Sequence, residues 1–310
     1  MKIDRTVIGS FPKIDFPLDE AIKSVVDLQL CYDIDIITDG EQRGDMIEYF
    51  RQIIVDENKK IVKIKPMSSL DDFFKIVDYH KIRSYLDSIN KKNVKIKIAL
   101  TGPLTLGYTF LMKKYDYSPS MPTAAMLNPK YNEQKLYSDI SQVLVALAKK
   151  CFDIGAFVQI DEPGISAFNI PLTLVRKILN DFFNQLPKDK RVSIHVCGSI
   201  DDRVYKELLD LNVKTISLAF SEEKDNINII SRKSLEDNQK MLGIGFISNI
   251  TVENKETALE RLKQIAEIVG VENISCIHPD CGLRNTSKEN VELILENMKK
   301  SSEEFLQSFS

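Results

Sequence analysis

Apolar positions along the chain fall into short runs that alternate with longer stretches of helical spacing. Leu18, Ile22, Val25, Val26 and Leu30 recur at helical intervals and predict a helix over 18–31. Further helices are predicted over 79–90, 131–150, 171–186, 201–211, 255–269 and 287–306. Between them lie about eight short apolar runs that read as strands: 5–9, 34–38, 94–99, 156–160, 192–197, 213–218, 241–246 and 274–277. Strand–helix alternation implies a parallel sheet with right-handed crossovers. Eight such units in 310 residues imply an α/β fold that closes as one (β/α)8 TIM barrel. Residues 51–93 are less regular, with a hairpin candidate at 61–64, and read as an insertion within a single catalytic domain spanning 1–310. A loop over 113–130, carrying Pro119, Pro122 and Pro129, has the length of a lid.

Polar residues cluster just after the strands: Ser10, Asp39 and Glu41, Thr101, Asp161 and Glu162, His195 and Cys197, Ser221 and Glu222, Ser248, Asp280 and Cys281. A barrel gathers these at its C-terminal mouth, where barrel enzymes carry their active sites. An open doubly wound sheet would scatter them, and Gly243-Ile244-Gly245 lacks the pattern of a phosphate loop. In 192–197, His195 and Cys197 share one strand face, which makes half of a zinc site, and Cys281 could supply more. The plainer alternative is a buried thiol beside a core histidine.

Composition changes this picture little. Forty-two Lys and Arg against 45 Asp and Glu give a net charge of −3, with no basic surplus for nucleic acid. No apolar run has membrane length, and the N-terminus shows no secretory signal. Five cysteines without framework spacing fit a cytoplasmic protein with reduced thiols. Cys31, Cys151 and Cys276 sit in apolar surroundings and read as core, with Cys151 opening a strand. His278 reads as a loop histidine, with a supporting role beside Cys281 as the alternative, and the Lys-rich stretches 58–65 and 91–97 as solvated strand faces or, alternatively, a dock for an acidic carrier protein.

Several motifs, in order along nearly the whole chain, resemble the catalytic half of cobalamin-independent methionine synthase. They are Ile8-Gly9-Ser10-Phe11-Pro12, Asp39-Gly40-Glu41-Gln42-Arg43, Thr101-Gly102-Pro103-Leu104-Thr105, Gln159-Ile160-Asp161-Glu162-Pro163, His195-Val196-Cys197 and Pro279-Asp280-Cys281-Gly282-Leu283. The chain is similar to short, single-barrel members that lack the N-terminal half. The resemblance implies the uroporphyrinogen decarboxylase/methionine synthase type of barrel and Zn2+ held by His195, Cys197 and Cys281. It further implies methyl transfer to the thiol of homocysteine, with Ser10, Glu41, Asp161 and Glu162 in the substrate-binding motifs.

Three positions depart from the family pattern. The fourth zinc ligand, a glutamate, is replaced by Ala219, with Glu222 a possible substitute. The proton-donating histidine is replaced by Ile247. The folate-holding residues are not recognisable, and Tyr108 stands near a tryptophan position. A folate nitrogen that loses its methyl group needs a proton, whereas a corrinoid does not. Methylcobalamin, brought by a corrinoid protein, is therefore the donor expected from the sequence. The rivals are transfer from a corrinoid to another small thiol such as coenzyme M, a metal-free decarboxylase of the related barrel, and a degenerate regulatory barrel that binds a metal or an amino acid. The decarboxylase would want arginines at the mouth, where only Arg43 and Arg284 stand.

Overall fold

The computed structural model describes residues 3–57, 61–64, 67–114, 134–167 and 170–308. The lid reading of 113–130 falls almost entirely outside the described residues. Eight parallel strands follow chain order around the sheet: β1 (Asp4–Arg5), β2 (Ile36–Ile37), β5 (Lys95–Thr101), β6 (Phe157–Asp161), β7 (Val192–Val196), β8 (Thr215–Ala219), β9 (Met241–Ile247) and β10 (Ile274–Pro279). β1 pairs with β10, and parallel bridges Thr6–Ile36 and Ser10–Gly40 join the other edge of β1 to the β2 side. The sheet therefore closes on itself as a barrel.

Helices α1 (Leu18–Cys31), α2 (Phe74–Ser88), α3 (Pro103–Lys114), α4 (Gln134–Asp153), α5 (Gly164–Ala167), α6 (Leu172–Phe183), α7 (Asp202–Asp210), α8 (Arg232–Asp237), α9 (Lys255–Val269) and α10 (Lys288–Gln307) lie between or after the strands. Helix α4 shows how they pack: its Ile140, Leu144, Leu147 and Cys151, at helical spacing, are each 0–1% exposed. Side-chain caps fix the starts of α7, α9 and α10. Asp201 accepts from Val204 N, Asn254 from Thr257 N and Ser287 from Asn290 N.

Three expectations change here. The insertion narrows to the antiparallel hairpin β3 (Ile54–Glu57) and β4 (Ile61–Ile64) with its flanks, because α2 packs on α1 and β5 as part of the helical ring. Cys151 lies in the last turns of α4 and not in a strand, though it is fully buried; Cys31 is exposed. Lys97 turns inward, where its Nζ donates to the Val7 carbonyl and, at 2.7 Å, to Gln159 Oε1. It borders a cavity of about 320 Å3 at the N-terminal strand ends, also lined by Thr6, Gln159, Ser193, Ser217 and Cys276. Burial lowers the Lys97 ammonium to about 8.

Candidate active site

Register sets the site. Thr101, Asp161, His195, Ser217 and Gly243 are paired neighbours across β5, β6, β7, β8 and β9, so their side chains form one tier around the barrel. Two residues beyond His195 and just past the end of β7, Cys197 follows on the same face, and Cys281 enters just after β10. A ring nitrogen of His195 and the sulfurs of Cys197 and Cys281 lie within 4.8 Å of one another, the one such cluster of metal-binding groups among the described residues. The two sulfurs titrate as a pair. Cys281 is drawn down by the hydrogen bond from Cys197, and Cys197 is pushed up by the same contact and by burial.

His195 is 1% exposed, and its Nδ1 lies 2.9 Å from Ser217 Oγ. Ser217 Oγ lies 2.8 Å from Nε2 of His278, whose Nδ1 lies 2.8 Å from the Pro279 carbonyl oxygen. His278 is thus a buried strand residue of β10 and not a loop histidine. Burial, reinforced by the neighbouring His195, holds its pKa well below the usual imidazole range. Nε2 of His195 is buried without a hydrogen-bond partner. A buried imidazole nitrogen left open beside two thiols fits a soft cation.

The carboxylates divide by what they touch. Asp161 accepts from Gln159 Nε2 at 2.6 Å, and no cationic side chain pairs with it among the described residues. Burial lifts its pKa to about 6. Glu41 has left-handed backbone (φ 54), and its carboxylate pairs with the buried Lys75 at 3.0 Å and lies 3.7 Å from Arg284. A non-glycine residue in that conformation costs about 1 kcal/mol and more, which marks a constrained site. Arg284 also donates to the carbonyls of Glu41 and Gly44, and Arg43 is held bidentately by Asp78, so both mouth arginines are engaged within the protein. Ser10 bridges to Gly40, and its hydroxyl occupies the space where a side chain at residue 282, beside Cys281, would stand.

Two candidate residues are placed elsewhere. Both oxygens of Glu162 are taken up at the start of α3: Leu104 N donates to Oε1, and Thr105 N and its hydroxyl meet Oε2. Glu162 is therefore a helix cap. Glu222, expected as a possible substitute for a ligand at Ala219, is placed apart from the other three residues. Its carboxylate is bonded to the Ser248 hydroxyl and lies outside the three-residue cluster. Asp280, which the motif contained without a role, accepts from the backbone N–H groups of Phe220, Ser221 and Glu222. Burial lifts it to about 7.

The sequence profile of the family described as "Cobalamin-independent synthase, Catalytic domain" matches residues 13–304. The chain belongs to this family. The methionine synthase of Methanothermobacter marburgensis is 31% identical over 92% of this chain and 89% of its own length. The 5-methyltetrahydropteroyltriglutamate–homocysteine methyltransferase of Blochmanniella pennsylvanica is 28% identical over 94% of this chain, which spans 41% of that protein. Among solved structures, a B12-independent methionine synthase from Shewanella sp. W3-18-1 superposes with a TM-score of 0.69 at 19% identity, covering 99% of this chain and 98% of that one. It shares the barrel fold.

Membership in the cobalamin-independent family gives no support to methylcobalamin as donor or to a corrinoid protein as partner. The sequence argument rested on one missing histidine, at Ile247, and a single missing acid does not identify a methyl donor. Among the described residues, no helix is long and apolar enough to cross a membrane.

Proposed function

We propose that this chain transfers a methyl group to the thiol of homocysteine to form methionine, with His195, Cys197 and Cys281 holding Zn2+. The observation that carries the proposal is the cluster of one open imidazole nitrogen and two thiols, within 4.8 Å, in a chain of this family. One nitrogen and two sulfurs suit zinc and leave a coordination position free. Zinc bound there supplies a site for the substrate thiol and lowers its pKa, which makes it a nucleophile at neutral pH.

The chain's own residues do the rest. Asp161 lacks a cationic partner among the described residues, so the substrate ammonium is the charge that would satisfy its carboxylate. Glu41, already neutralised by Lys75, supports the wall beside it, and Ser10 lies where the substrate carboxylate can meet backbone N–H groups. The donor is assigned to the methyl-pteridine class from the name of the Blochmanniella relative.

The test is zinc per chain, followed by methionine formed from homocysteine and 5-methyltetrahydropteroyltriglutamate, detected by mass spectrometry. Near-stoichiometric zinc and thiol-dependent methionine are expected, and Cys281→Ser should lose most of both. Ala219 at the end of β8 favours a second reading, a binding barrel without turnover. A protein that takes up no zinc after reconstitution, or holds zinc and forms no methionine, would give that reading precedence.

A further inference from the structure

We propose that Ser217 and His278 are positioning residues that set the tautomer of His195, so that its Nε2 lone pair faces Cys197 and Cys281 before any metal arrives. This deepens the zinc reading and rests on it for its purpose, but not for its geometry.

The chain of hydrogen bonds ends at the Pro279 carbonyl, and the Gly243 backbone also acts on the His278 ring. The Pro279 carbonyl can only accept, so the hydrogen on His278 sits on Nδ1, 2.8 Å away. The His278 ring is 1% exposed and stands edge-on to His195 with centroids 5.8 Å apart. A doubly protonated ring there would be a buried cation beside a second imidazole, with no carboxylate among the described residues hydrogen-bonded to it. A neutral His278 with its hydrogen on Nδ1 has a bare Nε2. The Ser217 hydroxyl, 2.8 Å away, donates to it. That spends the one hydrogen of the hydroxyl, so Ser217 Oγ meets His195 Nδ1, at 2.9 Å, as an acceptor. The hydrogen of His195 is therefore on Nδ1, and Nε2 carries none.

Among the described residues, Nε2 of His195 meets no partner in ordinary hydrogen-bond geometry, and His195 acts on the neighbouring Cys281 sulfur. Reversing the chain would place an N–H on Nε2, directed at the two sulfurs, and close the site to a cation.

Space for the relay comes from β9. A Cβ on Gly243 would stand 3.0 Å from Ser217 Cβ and 3.2 Å from both Cys276 Sγ and His278 Nε2. The glycine that formed no phosphate loop thus makes room for two side chains of the relay. Ser217 also borders the cavity at the N-terminal strand ends. Removing its hydroxyl extends a cavity whose lining includes Thr6, Lys97, Gln159 and Ser193, groups that water can bond.

The chain has only three histidines, which makes the test direct. Metal-free protein labelled with 15N in its histidine rings is examined by two-bond 15N–1H correlation, with the exposed His80 as internal reference. The expected spectrum shows His195 and His278 both as Nδ1–H tautomers. In Ser217→Ala, the His195 pattern should move toward a mixture of tautomers, and zinc affinity, read by competition with a chromophoric chelator, should fall 10- to 100-fold. His278→Phe, which keeps the ring volume and removes the acceptor, should move His195 in the same direction. Neutral His195 carrying its hydrogen on Nε2 in the wild-type protein would overturn the proposal without any variant. So would Ser217→Ala with an unchanged tautomer and unchanged zinc affinity. A locked tautomer in a protein that binds no zinc would overturn the metal reading alone and leave the relay standing.

Discussion

Asp161 shows how burial and charge compete in a single residue. Its carboxyl is lifted from an ordinary value near 3.8 to about 6, chiefly by burial. Between those two values the folded protein holds a proton that the unfolded chain has released. Stability from this group is therefore complete below about pH 3.8 and is lost as pH rises through about 6. A shift of about two units corresponds to about 3 kcal/mol. Asp161→Asn should remove that slope, so that denaturant melts at pH 4 and pH 7 differ less in the variant than in wild type. The part due to Glu162 and Asp280, both lifted to about 7, would remain. Parallel profiles for the two proteins would show that Asp161 is not buried as described. The same variant removes the carboxylate proposed for the substrate ammonium, so KM for homocysteine should rise at least tenfold while zinc content stays constant.

At the scale of elements, what was legible depended on how local the determining contacts are. Helices 18–31 and 255–269 were placed to the residue. The second begins at the Asn254 cap and ends at Gly270, whose φ of 79 suits a glycine, and both signals lie in the sequence beside the helix. Helix α3 was missed. Pro103 is its first residue, a position proline suits, but the group that caps it is Glu162, 58 residues away. Glu162→Ala should cost about 1–2 kcal/mol, the usual worth of a cap, read as a lower denaturation midpoint, with the slope of the transition unchanged. The strands were legible as apolar runs, yet β1 and β2 carry only two ladder residues each, because isolated bridges complete the pairing there. His195, Cys197 and Cys281 were legible because strand alternation and chain position define them. Ser217 was not, and His278 was legible only as an alternative to a loop residue, since their meeting depends on the register of β7, β8, β9 and β10 together, which a single sequence does not reveal.

At the scale of the whole molecule, the proposed metal joins parts of the chain that lie far apart in sequence. Its ligands come from β7 with the residue after it and from the turn after β10, two strands separated in the barrel by β8 and β9. A ligand that binds only the folded state stabilises it by about 2.7 kcal/mol at a hundredfold excess over its dissociation constant. With an unfolding entropy of about 2.1 cal/mol/K per residue, a chain of this length should melt about 4 °C higher with zinc than after chelation. Zinc needs deprotonated thiols, so the gap should widen as pH rises. Equal melting temperatures with and without chelator, measured by calorimetry, would count against the site.

Asp280 has a mechanical consequence. The residue next to Cys281 grips three successive amides of the segment that follows β8. That segment is consequently fastened at both ends, by its own strand and by the tip of β10, and moves with Cys281. Amides at 220–222 belong, in hydrogen exchange, with the strands and not with surface loops, since opening them means releasing a buried carboxylate. Strain arising at Cys281 is thereby delivered across β9 to the rim beyond Ala219.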